Sequence, residues 1–174
     1  ATVPATPLFK AQARIIASWA KNVYVKIPIT NTKRESSFDL VKKLATDAVK
    51  LNITAILTVP QVEHIVKALS PDVPAIISVF AGRIADTGVD PVPVMREARK
   101  ILEPYKNYEL LWASSRELLN IFEAEEVGAH IITVTADILK KLEKVGYDHH
   151  ELSVETVKMF YEDGQKVGYT LYES

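Results

Sequence analysis

Lys26 is the residue whose position in this chain most strongly indicates chemistry. It lies within residues 23–30, an apolar run that otherwise has the pattern of a buried β-strand. Because burying a charged ammonium is costly, a lysine there must pair with a carboxylate, reach water or lose its proton. A deprotonated lysine is an amine nucleophile, which forms Schiff bases with carbonyl substrates. The alternative is that Lys26 lies on an edge strand or points to solvent, as strand lysines commonly do.

The other residue types in the chain exclude several alternative kinds of catalytic or metal site. The first acidic residue is Glu35, so a carboxylate partner for Lys26 must come from later in the chain or from another chain. Cysteine is absent, which excludes disulfides, thiolate catalysis and zinc–thiolate sites. His149 and His150 stand beside acidic residues, and we interpret them as part of a solvated loop rather than as metal ligands. We therefore predict neither a metal site nor a bound cofactor.

The composition is that of one globular domain. The chain has 174 residues, of which 48% are hydrophobic and 25% charged, with a net charge of −1. This balance predicts no nucleic-acid or membrane partner, and no apolar run approaches the ~20 residues that span a bilayer. The first residues lack the pattern of a secretory signal, so we expect a soluble, cytoplasmic protein.

Short apolar runs alternate with amphipathic patterns along the whole chain. The pattern predicts strands at residues 23–29, 53–59, 75–81, 110–113 and 130–134. It predicts helices at residues 9–20, 36–51, 61–69, 94–102, 116–125 and 137–144, and a last helix from about Ser153, its cap candidate. This alternation is typical of βαβ units and a parallel sheet, either doubly wound or part of an eight-stranded barrel.

In such folds the working residues lie in the loops after the strands. Polar side chains do follow each predicted strand: Thr30 and Asn31, Thr58 and Gln61, Arg83, Ser114 and Arg116, and Thr135. The loop after the first strand contains no glycine, which argues against a nucleotide-binding fingerprint.

Four short segments then join Lys26, which lies in VKIPIT from Val25, in one order along the chain. They are NIT from Asn52, SVFAGR from Ser78, WASSR from Trp112 and TVT from Thr133. Together they resemble the transaldolase and fructose-6-phosphate aldolase family over residues 10–172. The resemblance implies an α/β fold of the (β/α)₈ TIM-barrel type, here partial, with about five parallel strands and flanking helices. Residues 1–174 then form a single domain, in which an irregular segment, 1–9, precedes barrel strands four to eight and a C-terminal helix at 10–174.

The resemblance also implies roles for these residues. Lys26 matches the Schiff-base lysine, Asn52 and Thr54 would hydrogen-bond the bound intermediate, and Thr54 would also help to place a water. Ser78 and Phe80 would line the pocket, while Arg83, Ser114 and Arg116 would bind the substrate's phosphate. The family's transferases resemble this chain in having Phe at position 80, where its aldolases of free dihydroxyacetone carry Tyr. The resemblance thus implies a transferase of carbohydrate metabolism, as in the pentose phosphate pathway.

Four site residues besides Lys26 also have a structural alternative. Asn52 could cap a helix and Ser78 could be an ordinary core serine. Arg83 could pair with Asp86. Arg116 could be a first-turn helix residue that faces Glu117 or Asn120. Tyr161, Tyr169 and Tyr172 could cover the barrel mouth or simply pack.

The chain departs from the family pattern in its first part. The acidic residues on the family's first and third strands, and the Thr-Asn-Pro of its second strand, have no counterpart here. Five barrel strands alone would leave two exposed edges and an open apolar face. We therefore expect a homo-oligomer or a partner chain that completes the barrel. Two functions remain open: transfer of a dihydroxyacetone unit between phosphorylated sugars, or an impaired sugar-phosphate-binding or oligomer-forming remnant.

Overall fold

Five strands form one parallel sheet in the computed structural model, which describes residues 7–168. The strands are β1 (Val25–Pro28), β2 (Leu51–Ile56), β3 (Ala75–Val79), β4 (Tyr108–Trp112) and β5 (Ile131–Ile132). Each strand pairs in parallel with the next one along the chain, in the order β1-β2-β3-β4-β5. A doubly wound sheet reverses its order part-way, whereas a barrel does not. The predicted α/β fold of partial barrel type is therefore confirmed.

Helices precede, alternate with or follow the strands along the chain. They are α1 (Pro7–Ala17), α2 (Phe38–Thr46), α3 (Val59–Val66), α4 (Ala81–Ala85), α5 (Val92–Leu102), α6 (Leu119–Glu126), α7 (Ala136–Lys140) and α8 (His149–Val167). Helices α2, α3 and α5 cover one face of the sheet. The side chains of α2, α3 and α5 that face the sheet, such as Leu44, Ile65 and Met95, are fully buried. They join one large apolar cluster with the alternate residues of the strands, which include Ile27, Ile53 and Leu110.

The opposite face of the sheet carries a much smaller apolar cluster. Successive strand residues point to opposite faces, so the residues between those of the large cluster share this second face. There Ile76, Leu111 and Ala113 form a small cluster with Tyr24 and Phe80. We call this second side the open face. In a barrel it is the side that points to the interior.

Two predicted boundaries near β2 are wrong for one reason. The apolar spacing that extends from Phe38 to Leu51 predicts a single helix, but α2 ends at Thr46. Ala48 has φ +57°, a left-handed conformation that an α-helix cannot continue through. Leu51 therefore begins β2, and Asn52 is a strand residue rather than a helix cap.

Other boundaries shift where caps or short helices compete with strands. Helix α3 begins at Val59, because Thr58 and Gln61 form a complete capping box. Helix α4 follows β3 directly where the sequence predicts strand and loop. Helix α1 begins at Pro7, so the predicted irregular segment 1–9 is wrong for residues 7–9, and residues 1–6 lie outside the described part.

The chain divides into two compact units, one up to Leu139 and one from Lys140 onward. In the second, a 3₁₀ turn at Lys141–Lys144 precedes α8, and Asp148 caps α8 by accepting from the backbone N–H groups of His150 and Glu151. The predicted cap at Ser153 and the predicted loop at His149 are therefore wrong. Tyr161 is exposed on α8, while Tyr169 and Tyr172 lie outside the described residues. Between residues 7 and 168, no helix is long and apolar enough to cross a membrane.

The buried Tyr108 predicts that the folded protein loses stability at alkaline pH. Its hydroxyl is buried without a hydrogen-bond partner among the described residues, and burial is the main cause that raises its pKa to about 12. An unfolded tyrosine ionises near pH 10, so between pH 10 and 12 only the unfolded chain releases this proton, and stability falls as the pH rises. We expect Tyr108→Phe to remove about 1–2 kcal/mol of that loss.

The measurement is urea unfolding of both proteins at pH 8 and pH 11. The variant should be no less stable at pH 8, because it loses a buried hydroxyl that has no partner. Equal pH dependence in the two proteins would contradict the prediction.

Candidate active site

Lys26 lies on the open face of β1, opposite the large core. Its neighbours Val25 and Ile27 are buried in that core, while the side chain of Lys26 is exposed. The hypothesis of a lysine enclosed by apolar residues is therefore wrong for the described chain, and the solvent-exposed alternative holds. The parallel register places Lys26 beside Asn52 of β2. The amine of Lys26 therefore lies on the same face as Asn52, the residue predicted to hydrogen-bond the intermediate.

Asn52, Ser78 and Thr54 form a polar group on this face. The Ser78 hydroxyl donates to Asn52 Oδ1 at 2.7 Å, and Ser78 is almost fully buried. This bond fixes the orientation of the Asn52 amide, so its NH₂ group remains directed elsewhere as a donor. Thr54 Oγ1 is buried with no partner among the described residues. The structure therefore brings three of the predicted residues together, with unused hydrogen-bonding capacity.

The carboxyl ends of β2 and β4 carry backbone strain. Ala55 follows Thr54 with φ +61°, where β2 has one extra residue relative to β3. Ser114 follows β4 with φ +64°. Left-handed conformations of residues other than glycine cost free energy and concentrate at functional sites. Ala55 lies next to Thr54, and Ser114 is itself a residue predicted for the site.

Gly82 in the first turn of α4 allows this helix to lie directly on the loop after β4. Its N–H donates to the carbonyl of Ala113, and a Cβ at Gly82 would stand 1.6 Å from the carbonyl oxygen of Ser114. Only glycine fits this approach. The close contact joins helix α4, which carries Arg83, to the loop that carries Arg116.

The two predicted phosphate-binding arginines have different neighbours. The guanidinium of Arg83 lies over the ring of Phe80, 5.6 Å from its centroid, as a cation–π pair. Arg116 forms two hydrogen bonds with Asp86, one of them from Nε to Oδ1 at 3.0 Å. This interaction raises the pKa of Arg116 above its ordinary value. The alternative in which Arg83 pairs with Asp86 is therefore wrong, because Arg116 takes that carboxylate.

The loop of residues 114–117 is held by Thr133 and Asn120, to which the sequence analysis assigned no role at the site. Thr133 bonds both serines: its hydroxyl accepts from the Ser114 N–H and its carbonyl from the Ser115 hydroxyl. Asn120 Oδ1 accepts from the N–H groups of Arg116 at 2.8 Å and Glu117 at 3.2 Å. Helix α6 begins only at Leu119, so Arg116 precedes it rather than belonging to its first turn.

Asn120 gives a stability prediction. Replacing this buried residue by alanine leaves two backbone N–H groups unpaired, and we expect a loss of about 2 kcal/mol in the free energy of unfolding. The control is Asn107→Ala, because Asn107 is exposed and makes one bond, to the Pro71 carbonyl. Urea unfolding measures both variants, and equal losses would show that Asn120 does not hold the loop.

Further polar residues lie on the open face or near it. Glu109 stands in register with Ile76 on this face, and its charge adds to burial in raising the pKa of Tyr24. The sequence itself could have revealed Glu109, because this charged residue interrupts an otherwise apolar strand. Within residues 7–168, no group of acidic or histidine side chains could hold a metal ion.

Comparison with known proteins now adds to this geometry. Residues 5–172 match the family model described as Transaldolase/Fructose-6-phosphate aldolase. The chain belongs to this family. The resemblance drawn from the four motifs is therefore confirmed, and transaldolase-family membership supports a transferase.

Several relatives in the transaldolase family are similar to this chain. A probable transaldolase 2 of Listeria monocytogenes is 38% identical over 132 residues, which cover 75% of this chain and 57% of the relative. A probable transaldolase of Streptococcus equi subsp. zooepidemicus is 33% identical over 154 residues, covering 88% and 66% of the two chains. One of Herpetosiphon aurantiacus is 30% identical over 160 residues, covering 90% and 65%. The chain thus spans between 57% and 66% of the length of these relatives.

Proposed function

We propose that this chain carries the Schiff-base half of a transaldolase-type site, which transfers a dihydroxyacetone unit between phosphorylated sugars through Lys26. The observation that carries the proposal is a row of polar residues on the open face, which consists of Lys26, Asn52, Thr54 and Ser78. Lys26 stands in register with Asn52, and Asn52 is bonded to Ser78. An amine beside oriented amide and hydroxyl groups suits a ketose, which presents one carbonyl among several hydroxyls.

The reaction begins when the neutral amine of Lys26 attacks the ketose carbonyl. A water molecule leaves, and the imine takes up a proton from solvent. The bond between C3 and C4 then breaks, and its electron pair neutralises the protonated imine as an enamine. The C4 hydroxyl gives its proton to water as the aldehyde departs. The enamine carbon attacks the carbonyl of an acceptor aldehyde, which takes up a proton. Water finally hydrolyses the imine and restores the amine.

The other residues of the row would bind the three-carbon unit. The Asn52 amide donates to its hydroxyl or carbonyl oxygen, in an orientation set by the bond from Ser78. Thr54 contributes a buried hydroxyl without another partner, which suits a hydrogen bond to the intermediate or to the attacking water. Leaving this hydroxyl unpaired costs free energy, so a ligand that pairs with it gains affinity.

The phosphate end of the sugar would lie at the strand ends. Arg83 in α4 and Arg116 in the loop after β4 are exposed cations. Gly82 brings α4 and this loop into contact. Guanidinium groups bind phosphate through two parallel N–H groups. The strained Ser114 adds a hydroxyl at the same place.

Phe80 favours transfer over free aldol addition. A phenyl ring cannot donate or accept a proton, so it cannot serve as an acid or base for a free donor. In the described chain the ring instead lies under the Arg83 guanidinium.

A second candidate function is supported by the exposure of Lys26. The Lys26 side chain is exposed, and the apolar cluster that the open face carries is small. This arrangement favours a remnant that binds sugar phosphates or forms oligomers without efficient turnover. The two candidates differ in whether a covalent adduct forms.

The deciding experiment is borohydride reduction in the presence of fructose 6-phosphate, followed by peptide mapping with mass spectrometry. The transferase proposal expects a stable adduct on Lys26, and formation of a new sugar phosphate when an aldose phosphate is added. An adduct without product supports the impaired candidate. No adduct on Lys26 would refute the Schiff-base proposal. The same samples, measured by native mass spectrometry, show whether the chain forms the expected oligomer.

A further inference from the structure

We propose that Asp86 is a positioning residue that aims Arg116 at the anionic end of the substrate. This inference rests on the proposed function, because it assigns an aid to the same phosphate subsite. It concerns how the subsite is built, and no transaldolase motif of the sequence includes Asp86.

The geometry of the pair leaves one edge of the guanidinium free. Asp86 Oδ1 accepts from Nε of Arg116, and Oδ2 accepts from Nη2. This is a side-on fork, which uses one of the two donor edges of the group. Among the described residues, no hydrogen bond occupies the end-on edge, formed by Nη1 and the second N–H of Nη2, so this edge is available for two oxygens of a phosphate.

Both partners are fixed from their backbones. The Arg116 N–H is held by buried Asn120. Asp86 ends α4, where its own N–H donates to the carbonyl of Gly82, and Gly82 in turn contacts Ser114. The carboxylate and the guanidinium therefore approach each other from two loops whose separation is set. A long, flexible side chain gains most from such preorganisation.

Folding stability does not explain the pair. The side chains of Arg116 and Asp86 are 48% and 51% exposed, and ion pairs with such exposure contribute little to stability. A variant at Asp86 should therefore still fold. The cost of the carboxylate is its negative charge near the bound anion, which at about 7 Å in water weakens binding about threefold. The gain from holding the guanidinium must exceed this repulsion for the pair to favour binding.

The test uses inorganic phosphate as the probe and the backbone amide signals of Ser114 and Arg116 in NMR titrations. We expect Asp86→Ala to weaken phosphate binding about five- to tenfold, although it removes a like charge. Lysine cannot form the side-on fork. In an Arg116→Lys background, Asp86→Ala should therefore no longer weaken binding. The matched control is Glu103→Gln, which removes one exposed carboxylate at the end of α5 and should leave phosphate binding unchanged.

Four outcomes would overturn the inference. Phosphate could bind Asp86→Ala as tightly as the parent protein, which would make the carboxylate only a competing charge. The loss could be equal in both backgrounds, which would make its role structural. Glu103→Gln could cause the same loss, or the parent protein could fail to bind phosphate.

The outcome for Asp86 is separable from that of the Schiff base. Dihydroxyacetone has no phosphate, so its borohydride trapping should not change in Asp86→Ala, whereas trapping with fructose 6-phosphate should need about five- to tenfold more sugar. If the parent protein traps neither sugar but shows the expected phosphate pattern, the proposed function fails and the positioning role stands.

Discussion

Replacing Lys26 by methionine is expected to abolish the borohydride-trapped adduct with fructose 6-phosphate and to lower any transfer activity by about 10³-fold or more. Methionine keeps an unbranched side chain of similar length but has no amine, so no imine can form. The exposed position of Lys26 means that little packing is lost. The fold should therefore persist, and the effect should be one of chemistry alone.

The matched control is Lys42→Met. Lys42 is exposed on α2, so the same change removes a surface amine from a helix rather than from the open face. Adduct yield and transfer should remain at the parent level. Trapping on Lys26→Met, or at a second lysine of the parent protein in equal yield, would show that the amine of the open face is not the nucleophile.

The shared face of the residues that we propose for the carbonyl chemistry was predictable from sequence. A polar residue in an apolar strand is visible as a break in pattern, and the side-chain period of two then assigns it a face. Lys26, Asn52 and Ser78 all have this signal, and the structure places them on one face. How far each of these side chains is exposed was not predictable, because the burial of a strand depends on what covers its second face.

The contacts between segments far apart in the chain were less predictable from sequence. Asp86 and Arg116 are 30 residues apart, and nothing in either segment indicates that a short helix will bring them together. That helix depends on Gly82, whose small size matters only because a distant carbonyl approaches it. In the same way, the helical spacing up to Leu51 predicts one continuous helix, and only the left-handed backbone at Ala48 interrupts it.

Gly82→Ala is expected to cost about 3 kcal/mol or more in the free energy of unfolding, the largest stability effect of any substitution considered for this chain. The added Cβ would stand 1.6 Å from the Ser114 carbonyl oxygen and 2.7 Å from its carbonyl carbon. Both are backbone atoms, so no side chain can rotate away. Either α4 or the loop after β4 must move, and Ser114 already holds a strained conformation.

Gly164→Ala in α8 is the control for the substitution itself. A Cβ at Gly164 meets nothing within 4 Å, so alanine should stabilise this helix by up to about 1 kcal/mol. Urea unfolding, followed through the buried Trp112 of the sheet, reports on Gly82→Ala, and helix circular dichroism reports on Gly164→Ala. If Gly82→Ala still folds, it should also bind phosphate more weakly, because the contact at Gly82 positions the segments that carry Arg83 and Arg116. A Gly82→Ala protein as stable as the parent would mean that α4 is free to move away from Ser114, and the fixed separation on which the Asp86–Arg116 fork depends would be lost with it.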